Sequence, residues 1–124
     1  MEVIQLAQLA GGAGESRVRF AAADPVFAGH FPQAPVLPGV VLVDAAVEIV
    51  SRVRKQPLRL ERLANAKFCS AVLPEQEIGF TFQAAPVDGD AGRVRVSGRW
   101  FRGTDKIAEM VFTAVPSTRK GGAA

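Results

Sequence analysis

The 124 residues include one cysteine, one histidine and one tryptophan, and that scarcity excludes several classes of protein. A lone thiol, Cys69, cannot close an intramolecular disulfide and fits a reducing compartment. Nothing has the ligand spacing of a zinc site, and neither an RNA-binding aromatic motif nor a long basic run is present. The 15 Lys+Arg against 12 Asp+Glu therefore argue for acidic partners, not for nucleic acid. No uncharged apolar run approaches the length of about 18 residues that a membrane span needs. The longest candidate, Val40 to Val50, is interrupted by Asp44 and Glu48. Residues Met1–Leu6 lack the basic n-region of a secretory signal, so a soluble cytoplasmic protein without a membrane partner is expected. Internal repeats and linkers are also missing, which leaves one domain over residues 1–116 and a loose tail over 117–124.

What is present suits a folded core. Apolar residues make up 48% of the chain and charged residues 22%, a balance that does not favour disorder. Val3–Leu9 and Ser16–Ala22 read as two strands joined by a loop containing Gly11, Gly12 and Gly14, and Asp24-Pro25 closes the second. Pro32, Pro35 and Pro38 exclude regular structure between Phe27 and Leu37 and give that loop a fixed path. A helix starts at Pro38-Gly39 and runs to about Arg54, apolar nearly all round until Ser51, so it is expected to be buried.

Beyond Pro57 the period changes to two. Leu58, Leu60, Ala64, Ala66 and Phe68 predict a long strand with an irregularity near Arg62-Leu63, ending at Pro74, with Cys69 as core filler. Ile78, Phe80, Phe82 and Ala84 predict the next strand, turning through Asp88-Gly89-Asp90 into Val94, Val96, Gly98 and Trp100. Ile107–Val115 is the last strand, with Ala108, Met110, Phe112 and Ala114 inward. One buried helix among antiparallel strands makes an α+β fold in which a curved sheet wraps the helix.

The stretch from Phe27 to Val53 carries the chemistry. Gly29-His30-Phe31-Pro32, then Pro35, Pro38-Gly39 and an acid at Asp44, resembles the hot-dog-fold 3-hydroxyacyl-acyl carrier protein dehydratases of bacterial fatty-acid and polyene-type pathways. An Asp at the acid position is the form found in the dehydratase/isomerase branch and in polyene-pathway relatives. The resemblance implies His30 as the catalytic histidine and Asp44 as the catalytic acid. Gly39 would offer its N–H to an oxyanion, and Phe31, Val36 and Pro38 would orient the loop and substrate, the Val36 carbonyl holding the second imidazole nitrogen. It also implies a site shared between two chains of a homodimer or an oligomer of dimers, with no metal or organic cofactor. Eliminating water from a 3-hydroxyacyl thioester needs a base for the carbon proton, an acid for the hydroxyl and a donor for the enolate-like oxygen. These residues would supply all three. A lone histidine is more often structural than catalytic, and it is the motif in register with Asp44 that reverses that reading.

One position departs from the family, which commonly has Gln one helical turn after the acid where this chain has Glu48. Four residues apart on one helix face, Asp44 and Glu48 are expected to approach each other. Arg52, Arg54, Lys55, Arg59 and Arg62 cluster in sequence around the helix exit, either as a solvated face or as a surface steering an acidic acyl carrier protein. Two other functions share this scaffold. A hot-dog thioesterase would release free thiol, and a non-catalytic subunit would bind acyl chains or pair with an active partner.

Overall fold

The structure, a computed structural model, describes residues 1–28, 35–87, 89 and 92–117. Six antiparallel strands form one sheet: β1 (Glu2–Gln8), β2 (Ala13–Arg19), β3 (Leu58–Phe68), β4 (Glu77–Pro86), β5 (Val94–Arg102) and β6 (Asp105–Pro116). Their spatial order is β1-β2-β4-β5-β6-β3. Helix α1 (Gly39–Arg54) packs against the inner face through Leu42, Val43, Ala46, Ile49, Val50 and Val53, all buried. This is the expected hot-dog arrangement. Each large aliphatic side chain buried there contributes roughly 1.5–3 kcal/mol against the entropy of ordering a β-branched helix.

The inner face of the sheet follows the period-two reading in β4, β5 and β6. Ile78, Phe80, Phe82, Val94, Val96, Trp100, Met110 and Phe112 are buried, and the Phe80 ring centroid lies 4.8 Å from that of Trp100. Two glycines make room for these rings. A Cβ on Gly98 would stand 2.3 Å from Cζ of Phe80, and one on Gly14 would stand 2.4 Å from Cζ of Phe82. Gly14 is therefore a strand residue paired with Phe82 and not part of the first turn. That turn is a short 3-10 segment over Ala10–Gly12, and β2 starts and ends earlier than alternation suggested.

Strand β3 has the irregularity expected near Arg62-Leu63 but departs from expectation in its end and its inward residues. It ends at Phe68, and its two bulges, between Leu60 and Arg62 and between Leu63 and Asn65, shift the inward set to Leu60, Leu63, Ala66 and Phe68, opposite Ala114, Phe112, Met110 and Ala108. Ala64 is exposed. As an edge strand β3 packs on one side only, and Leu58 is its single buried residue. Cys69 is exposed beyond the strand, its N–H donating to the Ile107 carbonyl, so it does not fill the core.

The helix ends where Lys55 adopts a left-handed conformation (φ 55°, ψ 40°) and Gln56 N–H donates to the Ser51 carbonyl, a hydrogen-bonded stop usually built on glycine. Ser51 Oγ donates to the Val47 carbonyl and accepts from Leu58 N–H at 3.1 Å. That serine fixes α1 to the start of β3. Ser117 N–H donates to the Pro57 carbonyl, so the first residue of the expected tail is tied to the fold; the rest of the tail lies outside the described residues.

Candidate active site

Pro38 occupies the N-cap position, not the first helical turn, and Gly39 is the first residue of α1. The first N–H groups of a helix have no acceptor within it and carry the positive end of its dipole. Gly39, Leu37 and Leu42 line a cavity of about 430 Å³ with Phe68, Ser70 and Val72 on its other side, within the size range of small-molecule sites. The Phe68 ring covers Gly39 closely: a Cβ on the glycine would be 3.0 Å from two ring carbons. Leu37 N–H donates to the Val72 carbonyl at 2.8 Å, which sets the approach of the chain to the helix.

Asp44 does not line that cavity. Val40, Asp44, Glu48 and Arg52 form an exposed i,i+4 stripe along α1, and Val40 alone is 66% exposed. The helix is buried against the sheet as expected, but not all round: the side carrying both carboxylates faces outward in the single chain. Glu48 also differs from expectation. Its Oε2 accepts from Arg52 Nε at 2.7 Å, so its carboxylate is drawn toward the helix C-terminus and not toward Asp44. A second groove of about 450 Å³, near the helix exit and lined by Glu48, Arg52 and Lys55, lacks both Gly39 and Asp44.

His30 and Phe31 lie outside the described residues, as do the other residues of 29–34. The chain on either side is described. Before it, Asp24 caps a 3-10 turn over Pro25–Phe27 by accepting from Val26 N–H at 3.0 Å. That hydrogen bond holds its carboxyl below the usual range. Phe27 is buried. After it, Val36 and Pro38 are half-buried and Leu37 is buried. Of the residues predicted for the site, Gly39 opens on the cavity and Asp44 follows on the same helix, about 7.5 Å along the axis at the standard helical rise.

The basic cluster divides. Arg59 and Arg62 sit opposite Val115 and Thr113 on the outer face of β3 and are exposed, as is Lys55, whereas Arg54 is half-buried and Arg52 is engaged by Glu48. Sequence reasoning missed Phe68 as the cover of Gly39 and the Val72–Leu37 hydrogen bond. Period-two alternation could place Phe68 on a sheet face but not over a particular glycine.

A family model described as ApeI dehydratase, of the ApeI-like type, matches residues 10–98. A 3-hydroxyacyl-[acyl-carrier-protein] dehydratase, FabZ, of Anaeromyxobacter dehalogenans is 28% identical over 111 residues, covering 78% of this chain and 67% of the relative. Among solved structures, the dehydratase heterocomplex ApeI:P of Xenorhabdus doucetiae has a chain that superimposes with a TM-score of 0.77 at 16% identity, covering 91% of this chain and 96% of that one. The fluoroacetyl-CoA-specific thioesterase FlK, as a mutant, superimposes with a TM-score of 0.70 at 13% identity, covering 88% and 87%. At these identities the two structures establish the shared fold.

Proposed function

The chain belongs to the ApeI-like dehydratase family, and on that premise we propose that it removes water from a 3-hydroxyacyl chain carried on acyl carrier protein, giving the trans-2-enoyl product, in a fatty-acid or polyene-type pathway. The observation that carries this reading is the helix start at Gly39, which opens on a cavity of about 430 Å³ lined by Leu37, Leu42, Phe68, Val72 and Ser70, with Asp44 farther along the same helix. In the proposed reaction neutral His30 takes the proton from the carbon beside the thioester carbonyl. The C–O bond breaks, and the hydroxyl leaves as water with a proton from Asp44. Gly39 N–H and the helix dipole stabilise the enolate-like oxygen meanwhile.

The exposure of Asp44 on one chain supports a site completed by a second copy. Val40, Leu63 and Phe68 are exposed apolar residues on α1 and β3, and β3 ends the sheet with one side unpaired among the described residues. Charged residues and bulges mark the outer face of β3, so the contact would be made by the unpaired backbone edge and the apolar patch of Val40, Leu63 and Phe68. In a homodimer built there, Asp44 would meet His30 of the partner subunit.

The test is incubation with 3-hydroxyacyl carrier proteins of several chain lengths, reading the product by mass. His30→Ala and Asp44→Asn are each expected to abolish enoyl formation with the fold intact. Turnover retained in both, or release of free thiol in place of an enoyl product, would overturn the reading. Activity only in the presence of a homologous second subunit would assign it to the pair.

A further inference from the structure

Among the side chains lining the cavity at Gly39, Ser70 is the polar one; its neighbours Leu37, Leu42, Phe68, Ala71 and Val72 are apolar. It lies in the loop between β3 and β4 and is half-buried. A hydroxyl in such a wall needs a partner, and Oγ accepts from Nη2 of Arg102, at the end of β5, at 2.9 Å. A guanidinium has donors and no acceptor. That bond therefore occupies a lone pair of Oγ and leaves the hydroxyl hydrogen uncommitted, and among the described residues it has no acceptor.

Arg102 carries its charge without a counter-charge. Its Nη1 donates to the Ala71 carbonyl at 2.7 Å and to Gln76 Oε1 at 3.1 Å, so its acceptors are all neutral. Among the described residues it forms no ion pair. A cation that donates to a hydroxyl oxygen draws electron density from it and strengthens the O–H as a donor.

The loop holding Ser70 is fixed at several points. Cys69 and Ser70 N–H donate to the Ile107 carbonyl at 2.7 and 3.2 Å. Glu75, in a left-handed turn at φ +69°, donates its N–H to the Phe20 carbonyl at 2.8 Å. The Val72 carbonyl accepts from Leu37 N–H at 2.8 Å, which ties the loop to the residue two before Gly39. Ser70 and the helix start are thus set in a fixed relation around one cavity.

We propose that Ser70 is a catalytic residue whose hydroxyl, held by Arg102, donates to the thioester carbonyl oxygen as a second donor beside Gly39 N–H. This rests on the dehydration reading given above. The carbonyl oxygen gains negative charge as it becomes enolate-like, and an O–H donor backed by an uncompensated cation stabilises that charge. The hydroxyl keeps its proton throughout. Arg102 acts through Ser70 and is a positioning residue.

The experiment binds a trans-2-enoyl thioester, isotope-labelled at the carbonyl carbon, to the full chain and reads the carbonyl band by difference infrared spectroscopy. Alongside it, kcat and KM are measured on a 3-hydroxyacyl carrier protein, with the thermal midpoint as a control for folding. In Ser70→Ala the band moves to higher frequency, and kcat falls about a hundredfold with KM within about threefold, the signature of a donor that matters most in the transition state. Ser70→Thr keeps the hydroxyl and returns the band and most of the kcat. Arg102→Met lowers kcat about tenfold in the wild-type background but adds nothing to Ser70→Ala, as coupling through one hydroxyl requires. A band that does not move in Ser70→Ala overturns the proposal and leaves Ser70 as a brace of the loop. Independent losses in the double variant overturn the role of Arg102. If the wild type forms no enoyl product while the band still moves in Ser70→Ala, the dehydration reading fails and the contact between Ser70 and the thioester stands.

Discussion

The ring of Phe68 lies over the Cα of Gly39, so that a single added methyl would come within 3.0 Å of Cε1 and Cζ. Phe68 is 48% exposed, and its ring has room to yield by the few tenths of an ångström that an alanine requires. Gly39→Ala gains helix propensity of about 0.5–1 kcal/mol, so its urea midpoint is expected to stay near that of wild type. Its turnover is expected to fall about tenfold, because the displaced ring narrows the cavity above the helix start. Adding Phe68→Ala to that variant restores turnover if the ring is the cause, and steady-state kinetics on the single and double variants decide it.

The unpaired edge of β3 gives a second expectation. Leu63, 42% exposed on its inward face, is replaced by lysine, which places a charge in the proposed subunit contact and blunts an edge strand. Light scattering is expected to show a dimer for wild type and a monomer for Leu63→Lys, and turnover disappears with the dimer. A monomeric wild type with full activity would contradict a shared site.

Arg59 and Arg62 lie together on the exposed outer face of β3, which suits an acidic carrier protein approaching the outer face of the sheet beside the proposed subunit contact. The double variant Arg59→Glu, Arg62→Glu is expected to raise KM for carrier-bound substrate by about tenfold, more at low salt than at high salt, since steering by exposed charges is screened within about 10 Å at 0.1 M. Turnover of a small acyl thioester lacking the carrier protein stays unchanged. Equal KM values on carrier-bound substrate would return the cluster to a solvated face.

Stability is expected to fall in acid by a predictable route. The Val26 N–H bonded to Asp24 depresses that carboxyl, and the hydrogen bonds from Arg93 and Lys106 depress Glu61 and Glu109. Each group binds its proton more weakly folded than unfolded. The stability it adds is present above the ordinary carboxylate range of about 3.9–4.3 and is lost as pH falls through the depressed values. Urea midpoints should hold at higher pH and drop below about pH 4. Asp24→Asn, which retains a capping side chain, should drop less over that acid interval than wild type.

Much of the architecture was legible in the chain because alternation and helix punctuation are local. Val94 to Trp100 alternated without a break and became β5, and Pro38-Gly39 marked the helix start. The errors fall where the deciding neighbour is distant. Gly14 sat in a glycine-rich run that looked like a turn, but its role is set by the Phe82 ring on β4. Ala64 was read into the alternation and Cys69 into the core from spacing, which marked an irregularity near Arg62-Leu63 but cannot give the register after two bulges or report that a strand has one neighbour. In the candidate site, Gly39 and the Asp44 helix were readable, whereas the exposure of Asp44 depends on which side of α1 the sheet covers. The polar residues at 44, 48 and 52 trace the side that the sheet leaves uncovered. Glu75 gave no local warning of its left-handed backbone.

The strand order β1-β2-β4-β5-β6-β3 also constrains how the molecule is made. During synthesis the β1–β2 hairpin, α1 and β3 all emerge before the central meander. Within the chain β3 has no ladder partner until β6 is complete, and the apolar side of α1, with Leu42, Ile49 and Val50, has no sheet centre to lie against until β4 and β5 follow. Assembly must wait for contacts between distant parts of the sequence, the condition under which folding slows and exposed apolar segments invite wrong pairings. A nascent chain that stalls before residue 77 would present both the β3 edge and the bare helix to whatever else is present on the ribosome, and one that stalls before residue 105 would still present the β3 edge.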